Sequence, residues 1–425
     1  MNTTILFVLF LGFYILFVWK ADKFFPLLYL FLLVYFIQYI FSVYLIYNEY
    51  PLLRREMTIS QDQLFEYTIP ALFFLFAGVF LFNRDVPIKD HLKKIDPFQA
   101  VRLGHLLLFV SFSFELLPLL GIPGSGSILS FTYYLRYAGA LCYLFSPSVL
   151  HYILLVLVYG GLARDALKGG IFIDFFVLSS YLFLVISLRY RFTFKVRSSF
   201  ILMAAPLLII IQSVKHEYRE ETWTGKRESG IGLFAELAEK NQEKENDPFA
   251  QSDGVISTVG RLNQGWHLGM VLKRVPAKEP FSYGEDLLSD LEGIILPRIF
   301  YPDKKIIGSQ DKFEKFTGHT LVGGTSMTIG VLGDFYINFG RWGSFIGLFI
   351  FGAIMARLFY WFIKKYVVTD PINIVWLPFL FSYLVRANND FYIVANNLFK
   401  GFLIFLLINY LRKQFWPARP VALRK

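Results

Sequence analysis

TTILFVLFLGFYILFVW at residues 3–19, followed after four residues by FFPLLYLFLLVYFIQYIFSVYLIY at 24–47, decides the fold class. Neither stretch alternates apolar and polar positions as a barrel strand does. At 1.5 Å per residue, the first approaches and the second exceeds the ~30 Å hydrocarbon thickness of a bilayer. Backbone groups in hydrocarbon must bond within their own segment, so both read as transmembrane helices. No basic stretch or small-residue cleavage site marks the first one as a signal peptide, and a second span follows directly.

Outward from this pair the pattern repeats. Of 425 residues, 55% are hydrophobic and 17% charged, with a mean hydropathy of +0.50, more apolar surface than a soluble core can hide. Nine further apolar segments fall near 64–82, 101–120, 128–145, 149–163, 171–188, 198–214, 341–362, 371–386 and 391–411. Those near 149 and 171 are short, so a count of ten with one re-entrant segment stands beside eleven. The expectation is an all-α polytopic transmembrane helical bundle with one large extracytoplasmic loop. It divides into an N-terminal bundle of about eight helices (1–214), a loop with short helices (215–340), and about three C-terminal helices with a basic tail (341–425).

Lys and Arg set the orientation. One set of alternate loops and the tail carries seventeen of them, and the other set of short loops carries five, namely Arg54, Arg55, Arg164, Lys168 and Arg386. The basic set, which includes the C-terminus, is predicted cytoplasmic, and 215–340 extracytoplasmic. The net charge of +10 sits in short juxtamembrane loops, where anionic lipid explains it better than nucleic acid. A single cysteine, Cys142, precludes an intrachain disulfide.

The long loop carries the polar chemistry. Three helical patterns are expected in it: one through Leu233, Phe234 and Leu237, one in STVGRLNQGWHLGMVLKRVP ending at Pro276, and one in YGEDLLSDLEGIILP ending at Pro297. HEYRE at 216–220 lacks the second histidine of a zinc protease helix, and no cofactor or metal is expected. GIPGSGS at 121–127 reads as a turn. GGTSMTIG offers Gly323, Gly324, Thr325 and Ser326 as backbone and hydroxyl donors to an anion before a helix; a flexible lead-in to the membrane is the plain alternative. Arg261, Arg298, Lys304 and Lys305, beside Trp266, Phe300 and Tyr301, suit a pyrophosphate and a sugar ring, or equally a solvated loop. His319 is a candidate proton acceptor. Asp334, Tyr336, Asn338 and Arg341 come at the membrane face, where Asp334 and Arg341 are expected either to serve a site or to pair. Glu115 and Arg136 are candidates to line a cavity below the loop. Gly343 and Gly347 form a GxxxG expected to pack closely against another helix.

The series GRLNQGWHLG, LPRIFYPDKK and GHTLVGGTSMTIGVLGDFYINFGRWG, within 261–352, resembles the bacterial O-antigen polymerase (Wzy-like) family of oligosaccharide repeat-unit polymerases. The resemblance implies a GT-C-like helical glycosyltransferase of the bacterial inner membrane, working on the periplasmic side without metal or nucleotide sugar. Its substrate would be an undecaprenyl-pyrophosphate-linked oligosaccharide, among membrane lipids, with a chain-length regulator and a flippase as possible partners. By motif position it implies catalytic roles for Arg298, Arg261 and His319. Lys304, Lys305, Gly323, Gly324, Thr325, Ser326, Tyr336, Arg341 and Trp266 would bind substrate. Where the family pattern has Glu after GGTS, this chain has Asp334. An O-antigen ligase, a lipid-linked oligosaccharide flippase or transporter, and a non-catalytic export scaffold remain as alternatives.

Overall fold

The computed structural model describes residues 3–116, 131–244, 253–295, 310–321 and 327–415. Arg298, Lys304, Lys305, Gly323, Gly324, Thr325 and Ser326, together with the 121–127 turn, lie outside the described residues.

The first three helices are α1 (Thr3–Lys20), α2 (Leu27–Asn48) and α3 (Gln61–Phe82). Helix α1 exposes Ile5, Phe7, Val8 and Trp19, whereas α2 buries Leu28, Phe31, Leu32 and Tyr35 on every side. A helix apolar all round is an interior one, and α2 is the central post of the bundle. Ser60 and Gln63 form a capping box that starts α3. Next come α4 (Pro97–Glu115), α5 (Leu135–Cys142), α6 (Val149–Gly169), α7 (Ile173–Tyr190) and α8 (Phe194–Trp223). The short helices α9 (Ile231–Lys244), α10 (Asp253–Leu262), α11 (Gly265–Arg274), α12 (Glu285–Ile295) and α13 (Gln310–Thr317) follow. The chain closes with α14 (Gly330–Val367), α15 (Pro371–Phe381) and α16 (Phe391–Phe415).

Among the described residues nine helices are long and apolar enough to cross a membrane: α1–α4, α6–α8, α14 and α16. The segments near 149 and 171, read as the short ones, are helices of 21 and 18 residues. Of the other two, 371–386 falls short, and 128–145 begins outside the described residues. Helix α5 has eight residues, all buried, followed by one tight turn at Tyr143–Phe145. Its apolar composition reflects protein on all sides rather than length. Residues 371–390 lose regular helix after Phe381. Side-chain amides stand in there: Asn397 Nδ2 donates to the Phe379 and Leu380 carbonyls at 3.2 and 3.1 Å, and Asn389 Nδ2 to the Tyr383 carbonyl at 2.8 Å. Irregular backbone at such depth survives only when so satisfied and enclosed.

Helix α14 starts eleven residues before the predicted 341 and α8 runs nine past the predicted 214. The first turns of α14 are polar, which hid them from a hydropathy reading, and Gly340 bends the helix with φ of 64°. Close helix packing lies elsewhere than the GxxxG. A Cβ on Gly78 of α3 would strike the Phe349 carbonyl of α14, and one on Gly352 would strike the Leu75 carbonyl in return. Gly343 and Gly347 instead accommodate Phe339 and Phe335 of their own helix across the bend.

Outside the spans, α9 lays Leu233 and Leu237 on Val214 and Tyr218 of α8. The single helix predicted to end at Pro276 is two, α10 and α11. They part at Asn263–Gln264 because the Gln264 N–H leaves the helix for the Gln38 carbonyl (3.0 Å) and Asn263 Oδ1 accepts from the Trp266 N–H (3.2 Å). Helices α11 and α13 share a core of Val271, Val275, Phe313 and Phe316 that rests on Ile337 of α14.

Candidate functional site

Helix α13 is short and mixed, QDKFEKFT, and its apolar residues Phe313 and Phe316 dock it onto α11. That docking swings Lys312 to the opposite side, toward the membrane bundle. The Lys312 ammonium lies 2.6 Å from Asp334 of α14 and 3.3 Å from Asp290 of α12, and Asp390, just before α16, adds its charge to the same field. Asp334 is 0% exposed and Asp290 and Asp390 are each 2% exposed, so four elements meet at one desolvated cation. The carboxylates also organise backbone: Asp334 accepts from the Phe391 N–H (2.7 Å) and Asp390 from the Gly330 N–H (2.8 Å).

One ammonium does not neutralise three carboxylates. Burial, with the charge of Asp334 adding to it, pushes Asp290 up to about 7 despite Lys312 beside it. Asp390 is raised well above the ordinary carboxylate range by burial and then by Asp334. The carboxylates in return hold the Lys312 ammonium charged against its desolvation, raising its pKa. Near neutrality the cluster therefore carries protons as well as an ammonium.

On the other face of α13 lies a pair of histidines. His319 stands edge-on to Trp266 with ring centroids 5.5 Å apart, and its backbone N–H donates to Thr317 Oγ1 at 3.1 Å. His267 sits against Phe313 (5.4 Å) and meets Gln264 Oε1 through Nδ1 at 3.2 Å. Burial, with His319 as the lesser cause, holds His267 down to about 4, so it is neutral at physiological pH. His319 is exposed; an exposed imidazole and an indole at right angles present an acceptor and an apolar face to the aqueous side.

Below the Lys312 cluster, α14 and α16 splay apart. The gap is an apolar groove of about 830 Å³, walled by Ile350, Ile354, Leu358 and Trp361 on one side and by Ala395, Leu398, Phe399 and Phe402 on the other. Leu287 and Leu291 of α12 line its upper end together with Phe335 and Phe391. These last three belong to the same turns as Asp290, Asp334 and Asp390, so the groove's head adjoins the charged cluster.

A second polar layer lies across the bundle. Arg386 pairs with Asp174 of α7, whose Oδ1 also accepts from the Tyr134 hydroxyl at 3.0 Å. Arg136 pairs with Glu115 and donates to Ser111 Oγ at 3.3 Å, so these two candidates meet each other.

Of the residues singled out from sequence, Trp266 and His319 come together. Arg261 ends α10, where its charged neighbours are Lys215 and Arg219 of α8. Tyr336 donates to the Val275 carbonyl at 3.1 Å and braces α11. Arg341 does not pair with Asp334; it grips Glu66 of α3 through the side chain (2.8 Å) and the backbone carbonyl (2.7 Å). The reason is the register of α14, which buries Asp334 toward Lys312 while the bend at Gly340 leaves Arg341 on the α3 side. Lys312, Asp290, Asp390 and His267 were not singled out. Their sequence contexts, QDKFEKF, SDLEG, RANND and GWHLG, look like ordinary polar loop, and only the weak amphipathic spacing of Phe313 and Phe316 hinted at α13. Among the described residues no group of three His, Cys, Asp or Glu side chains is placed to hold a metal ion.

No curated protein and no solved structure matches this chain. A family model does, over residues 125–415, which takes in α5 to α16 and so all four members of the Lys312 cluster, both histidines and the groove. By that match over more than half its length, the chain belongs to the family described as Domain of unknown function (DUF8712).

Proposed function

We propose that this protein is a polymerase of the bacterial inner membrane, which joins undecaprenyl-pyrophosphate-linked oligosaccharide repeat units into a surface polysaccharide. Transfer takes place on the periplasmic face, with the C-terminus in the cytoplasm. The observation that carries the reading is the apolar groove between α14 and α16, closed above by Leu287 and Leu291 of α12 and headed by a charged cluster whose Lys312 belongs to α13, with His319, two residues past α13, packed on Trp266. A groove of that volume and apolar lining suits a polyprenyl chain, and a lipid tail held there brings its headgroup to the aqueous boundary, which is catalysis by positioning. The resemblance of 261–352 to O-antigen polymerases supplies the chemistry.

In this reading Trp266 packs on a sugar ring and His319 accepts the proton of the attacking acceptor hydroxyl. The new C–O bond forms on the face of the anomeric carbon opposite the pyrophosphate, which leaves with the electron pair of the bond that breaks, so the centre inverts. Arg298, Lys304 and Lys305, with the donors of Gly323 to Ser326, offset the charge that grows on the leaving group; Arg261, beside Lys215 and Arg219 of α8, has no part in it. The Lys312 cluster locks α12, α13, α14 and α16 together and so keeps His319, two residues past α13, in register with the groove.

A second reading, a transporter of lipid-linked oligosaccharide, is favoured by the broken segment 371–390, which carries the buried charges Arg386 and Asp390 within the bundle. One experiment separates the two. The gene is deleted and complemented with wild type, His319→Ala or Arg298→Ala at matched membrane levels, and the surface glycan is run on a gel. The polymerase reading expects a single repeat on the lipid in the deletion, with long polymer restored by wild type and not by Arg298→Ala. Loss of all surface repeats, with lipid-linked repeats accumulating inside, supports the transporter. Long unattached polymer indicates a ligase, and an unaltered pattern in the deletion sinks the polysaccharide reading.

A further inference from the structure

Helix α8 leaves its apolar stretch at Lys215 and continues for two more turns into the polar layer of α9 and α10. Beyond that point, the described cations up to Arg261 fall into two groups. Lys226 pairs with Glu220, Arg227 with Glu236, and Lys240 with Glu217. Lys215, Arg219 and Arg261 have no carboxylate partner among the described residues. They are instead close enough that Arg219 and Arg261 both bear on Lys215, and Arg261 on Arg219. Helix α10 is brought alongside α8 by Gly254, where a Cβ would meet Ser213 Cβ at 2.8 Å.

Three like charges gathered at one place repel one another, and partial burial of Lys215 and Arg219 strengthens that repulsion. Nor is the cluster an accident of mobile side chains. Arg219 is fixed by two hydrogen bonds from Nε (3.1 Å) and Nη2 (2.7 Å) to the Gly170 carbonyl, and its guanidinium lies 4.6 Å from the Trp223 ring. Gly170, with φ of 60°, has no side chain to obstruct that approach. The Arg219 Nη1, the Lys215 ammonium and the Arg261 guanidinium remain without a hydrogen-bond partner among the described residues.

We infer that Lys215, Arg219 and Arg261 form a binding site for a phosphate group, carried by a membrane lipid. Phosphate supplies the dense negative charge and the several acceptor oxygens that a guanidinium and an ammonium converge on. The membrane is its source because the cluster begins where the apolar run of α8 ends, the level at which lipid phosphates lie. The site is separate from the groove between α14 and α16 and does not rest on the polymerase reading.

The test uses the full-length protein in phosphate-free detergent, with native mass spectrometry of bound dioleoylphosphatidylglycerol against dioleoylglycerol, which has the same tails and no phosphate. Wild type is expected to prefer the phosphate lipid by about tenfold or more, with the preference shrinking as salt rises. Lys215→Gln/Arg261→Gln is expected to lose it. Arg261→Gln alone, at an exposed position that leaves the fold undisturbed, is expected to lose part of it. Inorganic pyrophosphate that fails to displace the lipid supports the lipid source; full displacement at equal concentration overturns that source and leaves a site for soluble phosphate. Equal binding of the two lipids by wild type, or an unchanged preference in both variants, overturns the site altogether. Lost preference in the variants beside an unaltered glycan in the gene deletion would retain this site and discard the polymerase.

Discussion

Lys312 of α13 reaches Asp334 of α14 across 2.6 Å, and this contact ties a peripheral helix of eight residues to the longest helix of the membrane bundle. Asp290 and Asp390 close on the same ammonium from α12 and from the head of α16. The parts of α12, α14 and α16 that frame the groove's upper end are therefore pinned at one point with α13, and the position of His319, two residues past α13, is set by it.

Removing that ammonium leaves buried carboxylates without their counter-charge. Lys312→Met is expected to destabilise the protein by about 3–5 kcal/mol, the usual consequence of breaking a buried pair on one side. The thermal midpoint of the purified protein in detergent reads it, and Lys312→Met/Asp334→Asn should recover part of the loss. A midpoint equal to wild type would mean that the cluster contributes nothing.

Asp290, held at about 7 against an ordinary carboxylate near ~4, gives a signed dependence on pH. Its folded pKa is raised, so its contribution is complete below about pH 4 and is lost as pH rises through about 7. His267 works in the opposite sense. Depressed to about 4, it adds stability that is present above its ordinary value near ~6.5 and lost as pH falls. The two overlap, so the informative quantity is the difference between wild type and Asp290→Asn. The variant should gain on wild type steadily from pH 5 to about pH 8 and level off above. A flat difference would show that Asp290 titrates normally.

The contact of α3 with α14 depends on missing side chains. Gly78→Ala and Gly352→Ala each drive a methyl group into a backbone carbonyl of the opposing helix and are expected to cost about 1–3 kcal/mol. Gly160→Ala and Gly161→Ala in α6 meet nothing within 4 Å and should stay within about 0.5 kcal/mol of wild type. Comparable losses at all four would sink the packing explanation, since helix propensity by itself favours Ala over Gly.

If the groove holds a lipid tail for the reaction, filling it must slow the reaction without harming the fold. Ala395→Trp projects an indole into the groove from α16. Polymer formation should fall on the order of tenfold, equivalent to ~1.4 kcal/mol, with the thermal midpoint unchanged. Full activity in a stable Ala395→Trp protein would remove the groove from the mechanism.

The helices of the bundle were legible where apolar runs are long and uninterrupted, as in α1, α2, α3 and α16. They were misread where burial inside the protein imitates burial in lipid. The segment 371–390 is apolar because other helices enclose it, and hydropathy does not distinguish a protein neighbour from a lipid one. The head of α14 was missed for the converse reason: Asp334 and Asn338 make it look like loop, and only their partners, Lys312 and the backbone of Leu287 and Asp334, make it a stable buried helix.

The composition and spacing of this chain by themselves determined a helical membrane protein whose polar residues gather in one region, because the exclusion of unpaired backbone from hydrocarbon acts on each segment separately. Which polar residues meet was decided by tertiary structure alone. Lys312, Asp290, Asp334 and Asp390 come from four elements spread over a hundred residues, and Lys215, Arg219 and Arg261 from two. A charge has no periodicity that names its partner; burial and proximity set its energy, and both arise only when the helices pack.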